Sequence, residues 1–308
     1  MPKAIKNSIY NLNGLTVGTD DSGRSYTLVN DNKLRLWLRF ATTLQNKSTY
    51  LNVSKTLLYE GSPTTFNEET IGVNTYPTVR FDDDDDTNAL VTYDSGANDL
   101  TFGDGTSDSP FSVSVWYKRE SAYAADAVQY LFYNADGSAR EQFYAYVHPA
   151  GRVYFVLRDE ASNGSLSVYH DWGDIEDIDD KWQHFVFTYD GSSSELGLKI
   201  YLNGSLLSLN YGELNYTAMN QVSAKFYIAS DYDGNNEGDG RFAELAVWAS
   251  ELSQDEVKAV YYATTKKLFQ SGYISNPPRV LLRQYDSATG SYPTISRTGD
   301  KDRKGNYA

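Results

Sequence analysis

The sequence has 308 residues, of which 26 are tyrosine and none is cysteine, and its net charge is −14. The absence of cysteine excludes disulfides and thiolate chemistry, and the acidic charge argues against nucleic acid as a partner because the phosphates would be repelled. The sequence contains no apolar run long enough to span a membrane, and its N-terminus lacks the apolar stretch of a signal peptide. We therefore expect no membrane insertion, and synthesis in a cytoplasm without the usual export route.

The N-terminal third of the sequence is mostly polar. Residues 1–33 are irregular and are interpreted as an N-terminal arm. Regular structure is predicted from Leu34, because Leu34, Leu36, Leu38 and Phe40 alternate at the two-residue period of a strand. Residues 41–77 are polar and contain turn formers, which predicts a loop with one short strand around Tyr50–Val53.

From Val79 onward, strand patterns recur with turn residues between them. In 111–118, Phe111, Val113, Val115 and Tyr117 occupy one face of the predicted strand. Asn203-Gly204 is one of several dipeptides that suit tight hairpins, because both residues tolerate a positive φ. A dozen or so short strands without intervening helices predict an all-β sandwich of two antiparallel sheets over residues 34–263.

One short helix is predicted near the end of this region. Ser253 and Glu256 have the spacing of a capping box, and Val257, Val260 and Tyr261 follow at helical intervals to about Ala263. The remaining residues, 264–308, contain eight basic and three acidic side chains, a net charge of +5 that leaves −19 on residues 1–263. This asymmetry favours a C-terminal tail that docks on an acidic surface, such as a neighbouring copy of the protein, although a solvated tail has the same composition.

Four segments resemble laminin-G-like domains of the concanavalin A-like lectin/glucanase superfamily. In order along the chain they are VRFDDDDDTNALVTYDSGANDLTFGDGTSDSPFSVSVWYKR (79–119), WQHFVFTYDG (182–191), KIYLNG (199–204) and IASDYDG with RFAELAVWASELSQDEVKAVY (228–261). The resemblance implies a jelly roll of two antiparallel sheets with a short C-terminal helix, used as a binding or adhesion module. The sequence departs from the family at 82–86, where a run of aspartates replaces the first glycine after Phe-Asp.

The sequence provides no support for catalysis. Glucanases in the same superfamily carry E-x-D-x-x-E on one strand, which brings two carboxylates together across the glycosidic bond. The acidic segment 176–180 lacks that spacing, and neither a zinc-type histidine pair nor a G-x-S-x-G motif is present. We expect a non-catalytic protein with no catalytic residues, in which His184 is a packed, hydrogen-bonded side chain of a core strand.

Two candidate binding features remain. Oxygen-bearing side chains at near-alternate positions, with Gly234 to permit a turn, suit calcium, and these are Asp231, Asp233, Asn235 and Asp239. A solvated turn would have the same residues, and solvent exposure is the favoured interpretation of Asp82–Asp86. Trp172 follows a predicted strand and enters an acidic loop, where it could stack on a sugar or pack under the loop. The other four tryptophans are interpreted as core residues.

The biological context is inferred from the tail and from the missing export signal. SYPTISRTGDKDRKGNY (291–307) resembles segments of structural proteins from marine bacteriophages. We therefore expect a non-catalytic bacteriophage virion protein, a capsid decoration or tail-associated component, whose arms bind other virion proteins and copies of itself. The alternative is a calcium-dependent lectin for host surface glycans, and a polysaccharide hydrolase is the less favoured third hypothesis.

Overall fold

The computed structural model describes eighteen strands and some of the loops between them. The described residues are 18–19, 25–26, 33–38, 57–60, 65–71, 74–81, 90–94, 100–120, 128–136, 141–173, 178–222, 224–232, 240–258 and 260–261. The chain divides into two units, Met1–Asn32 with Pro278–Ala308, and Lys33–Pro277. The predicted domain bounds 1–33, 34–263 and 264–308 stay predictions.

In the first unit, the residues that the structure describes are the antiparallel pair Gly18–Thr19 (β1) and Ser25–Tyr26 (β2). The strands of the second unit are Leu34–Leu38 (β3), Leu57–Glu60 (β4), Thr65–Ile71 (β5), Asn74–Phe81 (β6), Leu90–Asp94 (β7), Phe111–Lys118 (β8), Gln129–Ala135 (β9), Glu141–His148 (β10), Arg152–Asp159 (β11), Gly164–Asp171 (β12), Gln183–Tyr189 (β13), Leu198–Leu202 (β14), Ser205–Leu206 (β15), Asn210–Leu214 (β16), Lys225–Ile228 (β17) and Gly240–Trp248 (β18). A short 3-10 helix covers Glu195–Gly197, and one α-helix (α1) covers 254–258 and 260–261.

The strands of the second unit form two sheets. The first sheet has the order β15-β14-β13-β8-β18-β6-β5, with β3 also paired to β18. The second sheet has the order β16-β12-β11-β10-β9-β17-β7-β4. All described pairings are antiparallel, so the predicted fold class, an all-β concanavalin A-like jelly roll with one short C-terminal helix, is confirmed.

The main core contains apolar side chains from both sheets. In β8, Phe111, Val113, Val115 and Tyr117 all belong to it, as the alternation predicts. Trp116 faces the other way, where it packs with Trp182 and Ala243 in a second buried cluster. The expectation that tryptophans are core residues is confirmed for the buried Trp116, Trp182 and Trp248, whereas the side chain of Trp37 lies outside the described residues.

Helix α1 begins at the predicted capping box. Ser253 Oγ accepts a hydrogen bond from Glu256 N at 3.3 Å, and Glu256 Oε2 accepts one from Ser253 N at 2.8 Å. Val257 and Val260 are fully buried. Tyr261 lies over the outer side of the first sheet, with its ring centroid 5.9 Å from that of Trp116. The helix therefore covers this side of the sheet, which explains why β8 is buried on both faces. None of the described helices is long and apolar enough to cross a membrane.

The prediction of a loop over 41–77 is wrong for much of that segment, because β4, β5 and the start of β6 lie within it. Strand β5 is polar, and its composition does not predict a strand. It forms one because seven of its residues pair with β6. Pro77 is tolerated because β6 pairs with β18 only at 79–81, so Pro77 faces no ladder on that side among the described strands. The short strand expected around Tyr50–Val53 lies outside the described residues.

Candidate functional site

A row of four tyrosines crosses the outer face of the second sheet. The strand register places Tyr169 of β12 opposite Tyr154 of β11, Tyr154 opposite Tyr146 of β10, and Tyr146 opposite Tyr130 of β9. Each of these tyrosines has a sequence neighbour in the main core, so alternation turns the tyrosines outward. Each of the four side chains is partly exposed. We call Tyr130, Tyr146, Tyr154 and Tyr169 the tyrosine ladder.

The rings of the tyrosine ladder are in contact with one another. The Tyr146 and Tyr154 rings stack at 4.7 Å between centroids and 14° between planes, and Tyr154 stacks on Tyr169 at 5.0 Å and 27°. Tyr130 meets Tyr146 edge-on at 5.5 Å and 64°. Parallel rings this close cover each other's faces, so these stacked rings stand upright on the sheet and turn an edge towards solvent. Each contact adds about 0.5–1.5 kcal/mol beyond area burial, which makes the ladder a preformed surface.

A second tyrosine pair lies beside the ladder. Tyr133 of β9 stacks on Tyr144 of β10 at 4.8 Å and 9°, and Tyr133 is almost completely buried. Its hydroxyl donates to the carboxylate of Glu141. Burial raises the pKa of Tyr144, and it raises the pKa of Tyr146 to about 12. Both phenols therefore keep their protons at neutral pH and can donate hydrogen bonds.

Two arginines of β11 flank the ladder on the same face. Arg152 Nε lies 2.8 Å from Asp171 Oδ2, and the Arg152 guanidinium carbon lies 5.4 Å from the centroid of the Tyr169 ring. The hydrogen bond from Arg152 is the main reason that the pKa of Asp171 is lowered. This pair borders one side of the ladder and is about one-third exposed.

The second arginine lies between two carboxylates. Arg158 Nε is 3.1 Å from Glu141 Oε2 and 3.5 Å from Glu160 Oε1. The pKa of Glu141 is raised, chiefly because the carboxyl is desolvated by burial, and the hydroxyl of Tyr133 and the charge of Arg158 oppose this shift. The side of the ladder near Arg158 is thus bordered by an ionic cluster in which the arginine is paired with two carboxylates.

The ladder was not among the predicted site residues. The signal was present in the sequence, since tyrosines alternate with core-type residues in EQFYAYVH and RVYFVLRD. Which tyrosines become neighbours depends on the register of three consecutive hairpins, and a difference of one residue in any of these turns would change it.

Trp172 lies directly after Asp171, at the end of β12. Its side chain is partly buried and packs against the main core, with its ring centroid 6.2 Å from that of Phe185. Its backbone N–H donates to Gly151 O at 2.8 Å. These contacts are those of the packed alternative, and the sugar-stacking role of Trp172 stays a prediction.

The predicted calcium ligands are only partly within the described residues. Asp231 is buried, and its backbone carbonyl accepts a hydrogen bond from Ser230 Oγ at 3.0 Å. Asp233, Asn235 and Asp239 lie outside the described residues. Within the described part of the chain, no group of three or more histidines and carboxylates is placed to hold a metal ion. Calcium binding at 231–239 therefore stays a prediction.

His184 of β13 is confirmed as a packed, hydrogen-bonded side chain. It is fully buried, its Nε2 lies 2.9 Å from Ser114 Oγ, and its ring lies 5.0 Å from that of Trp116. Among the described residues, its Nδ1 makes no hydrogen bond. Desolvation lowers the pKa of His184 to about 3, so the imidazole is neutral in the folded protein at neutral pH.

Comparison with known proteins agrees with this architecture. Residues 70–258 match the family described as the concanavalin A-like lectin/glucanases superfamily, under the laminin-G heading. No curated protein sequence matches the chain.

Among solved structures, the binding domain of botulinum neurotoxin serotype G has a TM-score of 0.53 at 17% identity over 75% of this chain and 51% of that one. The ligand-binding domain of botulinum neurotoxin serotype D, solved in complex with N-acetylneuraminic acid, has a TM-score of 0.52 at 14% identity over 74% of this chain and 50% of that one. The chain thus spans about half the length of these structures, and at such identities they show a shared fold.

Proposed function

The chain belongs to the concanavalin A-like lectin/glucanases superfamily, and we propose that it is a non-catalytic carbohydrate-binding module that binds glycans on the tyrosine ladder. The observation that carries the proposal is the cross-strand row itself, four partly exposed tyrosines in direct register on the outer face of one sheet. The serotype D neurotoxin domain, which shares the fold, was solved with a sugar acid bound.

The ladder has the dimensions and chemistry of an oligosaccharide site. Four adjacent strands span three inter-strand spacings, about 14 Å, which is the length of a short oligosaccharide. Upright phenol rings present a hydroxyl that both donates and accepts, beside an apolar ring edge. Sugars offer the matching groups, hydroxyls and apolar C–H faces, and the stacked rings lose little conformational entropy when a ligand binds.

Support for a non-catalytic role comes from the carboxylates around the ladder. Glu141 and Glu160 share Arg158, and Asp171 is held by Arg152. Glycoside hydrolysis needs one carboxyl that can protonate the leaving group and a second that is free to attack or to activate water. Each of these three carboxylates is instead paired with an arginine, so none of them is free to attack a sugar or to activate water. Release of sugar from a polysaccharide by the purified protein would overturn this part of the proposal.

The test is a glycan array with the full chain, followed by titration of the bound glycans. Tyr154→Phe removes one hydroxyl but keeps the ring stack, so we expect weaker binding by about fivefold to tenfold with an unchanged melting temperature. Tyr211→Phe is the matched control, because Tyr211 is half exposed on β16 and faces the side of that strand opposite to the ladder. Equal affinity of the two variants and the unsubstituted protein would contradict the site.

The same array tests the predicted calcium site. If residues 231–239 bind calcium and support the glycan site, EDTA should reduce the signal and added calcium should restore it. A signal that is insensitive to EDTA would separate glycan binding from calcium and leave the tyrosine ladder as the site.

We also propose that the module is a virion component, displayed on a bacteriophage particle as a capsid decoration or tail-associated protein. The specific observation is the charge asymmetry, +5 on residues 264–308 against −19 on residues 1–263, which suits docking of the tail on an acidic neighbour, including a copy of the same protein. Deleting 264–308 should abolish incorporation into particles and leave glycan binding intact. Full incorporation of the truncated chain would overturn the role of the tail.

A further inference from the structure

We infer that the tyrosine ladder selects neutral glycans over acidic ones, an inference that rests on the proposed glycan-binding function. The reason is that the two arginines beside the ladder, Arg152 and Arg158, already have carboxylate partners within the protein. A carboxylate on the ligand would have to displace these protein carboxylates from the arginines, or lie close to them and be repelled.

Arg152 is in direct contact with the ladder. Asp171 Oδ2 accepts from its Nε at 2.8 Å, and its guanidinium lies over the Tyr169 ring. Asp171 is held in turn by Gly173 N, which donates to Asp171 Oδ1 at 2.8 Å. Because both groups of the pair have further contacts, the pair is preorganised, and a sugar acid that approached Arg152 would also meet Asp171.

Arg158 has two carboxylate partners. Glu141 and Glu160 are both within 3.5 Å of its Nε, and its Nη2 donates to Asn163 Oδ1 at 3.3 Å. One positive charge thus faces two negative ones on the side of the ladder near the Tyr133–Tyr144 pair.

Lys225 of β17 is the remaining cation to consider on this face of the described residues. It lies opposite Ala135, which in turn lies opposite Glu141, so it is on the glutamate side of the ladder and beyond β9. It has its own interaction partner. Among the described residues of this face, the charges of Arg152, Arg158 and Lys225 are matched by those of Asp171, Glu141 and Glu160.

The long-range field acts in the same direction. The chain as a whole carries a net charge of −14, so an anionic glycan is repelled as it approaches the protein. Neutral sugars are insensitive to that field, and their hydroxyls match the phenols of the ladder. The charges around the site therefore favour an uncharged ligand, both when the ligand approaches the protein and when it contacts the ladder.

The test compares one neutral oligosaccharide that binds in the array with a counterpart of the same length that carries a uronic or sialic acid. Affinities are measured at low and at physiological ionic strength. We expect the acidic counterpart to bind about tenfold more weakly, with the difference shrinking as salt is added. Equal or tighter binding of the acidic counterpart would overturn the inference.

A charge-matched pair of variants sharpens the test. Asp171→Asn leaves Arg152 without its carboxylate and should raise the affinity for the acidic counterpart about threefold to tenfold relative to the neutral one. Asp255→Asn removes the same charge from an exposed residue of α1, on the other sheet, and should leave that ratio unchanged. The same ratio in both variants would overturn the role of the Arg152–Asp171 pair.

The outcomes also separate this inference from the proposed function. If acidic glycans bind best and Tyr154→Phe weakens them, the ladder is a glycan site and only the selectivity is wrong. If no glycan of either class responds to Tyr154→Phe, the proposed site is wrong and the selectivity inference is wrong with it.

Discussion

The buried imidazole of His184 makes the stability of this protein depend on pH in a way that can be calculated. In the folded protein the ring is fully buried against Trp116 and Tyr261, and desolvation lowers its pKa from 6.5 to about 3. The unfolded chain binds a proton at His184 below pH 6.5, but the folded chain does not until about pH 3. The stabilisation present above pH 6.5 is therefore lost progressively as the pH falls towards 3.

The magnitude follows from the width of this interval. Each pH unit in which only the unfolded state is protonated costs about 1.4 kcal/mol. Lowering the pH from 6.5 to 5 should thus remove about 2 kcal/mol of the free energy of unfolding through His184 alone. Because the side chain is fully buried, solvent screening does not reduce this value much.

The assay is urea denaturation between pH 5 and pH 8 for the unsubstituted protein and for His184→Gln. The glutamine can keep a hydrogen bond to Ser114 but cannot titrate. We expect His184→Gln to be less stable at pH 8, and the deficit to shrink by about 2 kcal/mol at pH 5. Ser114→Ala, which removes the partner of Nε2 but keeps the imidazole, should retain the pH dependence of the unsubstituted protein. Parallel pH profiles for His184→Gln and the unsubstituted protein would refute the reasoning.

Two further predictions concern the framework of the sandwich. Glu120 lies between Arg80 of β6 and Arg241 of β18, and both arginines donate to its carboxylate. We therefore expect Glu120→Ala to lower the free energy of unfolding by about 3 kcal/mol in urea denaturation, and a loss below about 0.5 kcal/mol would contradict a structural role for this cluster. Gly204 has φ +81°, and a Cβ there would lie 3.2 Å from the Tyr261 ring. We therefore expect Gly204→Ala to destabilise the protein by about 1–2 kcal/mol and to lower its melting temperature, and an unchanged melting temperature would show that the turn and α1 adjust freely.

The pKa of Glu120 reflects the same cluster. Burial alone would raise it, but the hydrogen bonds from Arg80 and Arg241 prevail and lower it. Strands β6 and β18 pair with each other only over 79–81 and 240–242, and Glu120 adds an ionic link between them to the backbone hydrogen bonds. This explains how the polar β5–β6 hairpin is attached to a sheet whose centre is apolar.

Much of the architecture was determined by the sequence itself, because local patterns carry it. The alternation in β8, the Asn203-Gly204 turn and the Ser253–Glu256 capping box each involve residues a few positions apart, and the structure has all three as predicted. Positive φ values of 51° at Asn203 and 81° at Gly204 confirm the predicted tight turn.

The tyrosine ladder and the polar strands within 41–77 were decided by the tertiary structure. Tyr130 and Tyr169 are 39 positions apart in the sequence, and they belong to one row only because three strand pairings hold a common register. A shift of one residue in any pairing would turn its tyrosine into the core. Thr65–Ile71 likewise becomes a strand because β6 offers it seven backbone partners, and not because its own side chains favour burial. Local sequence specifies turns, caps and alternation, whereas the neighbours across a sheet are specified by the whole core that sets the register.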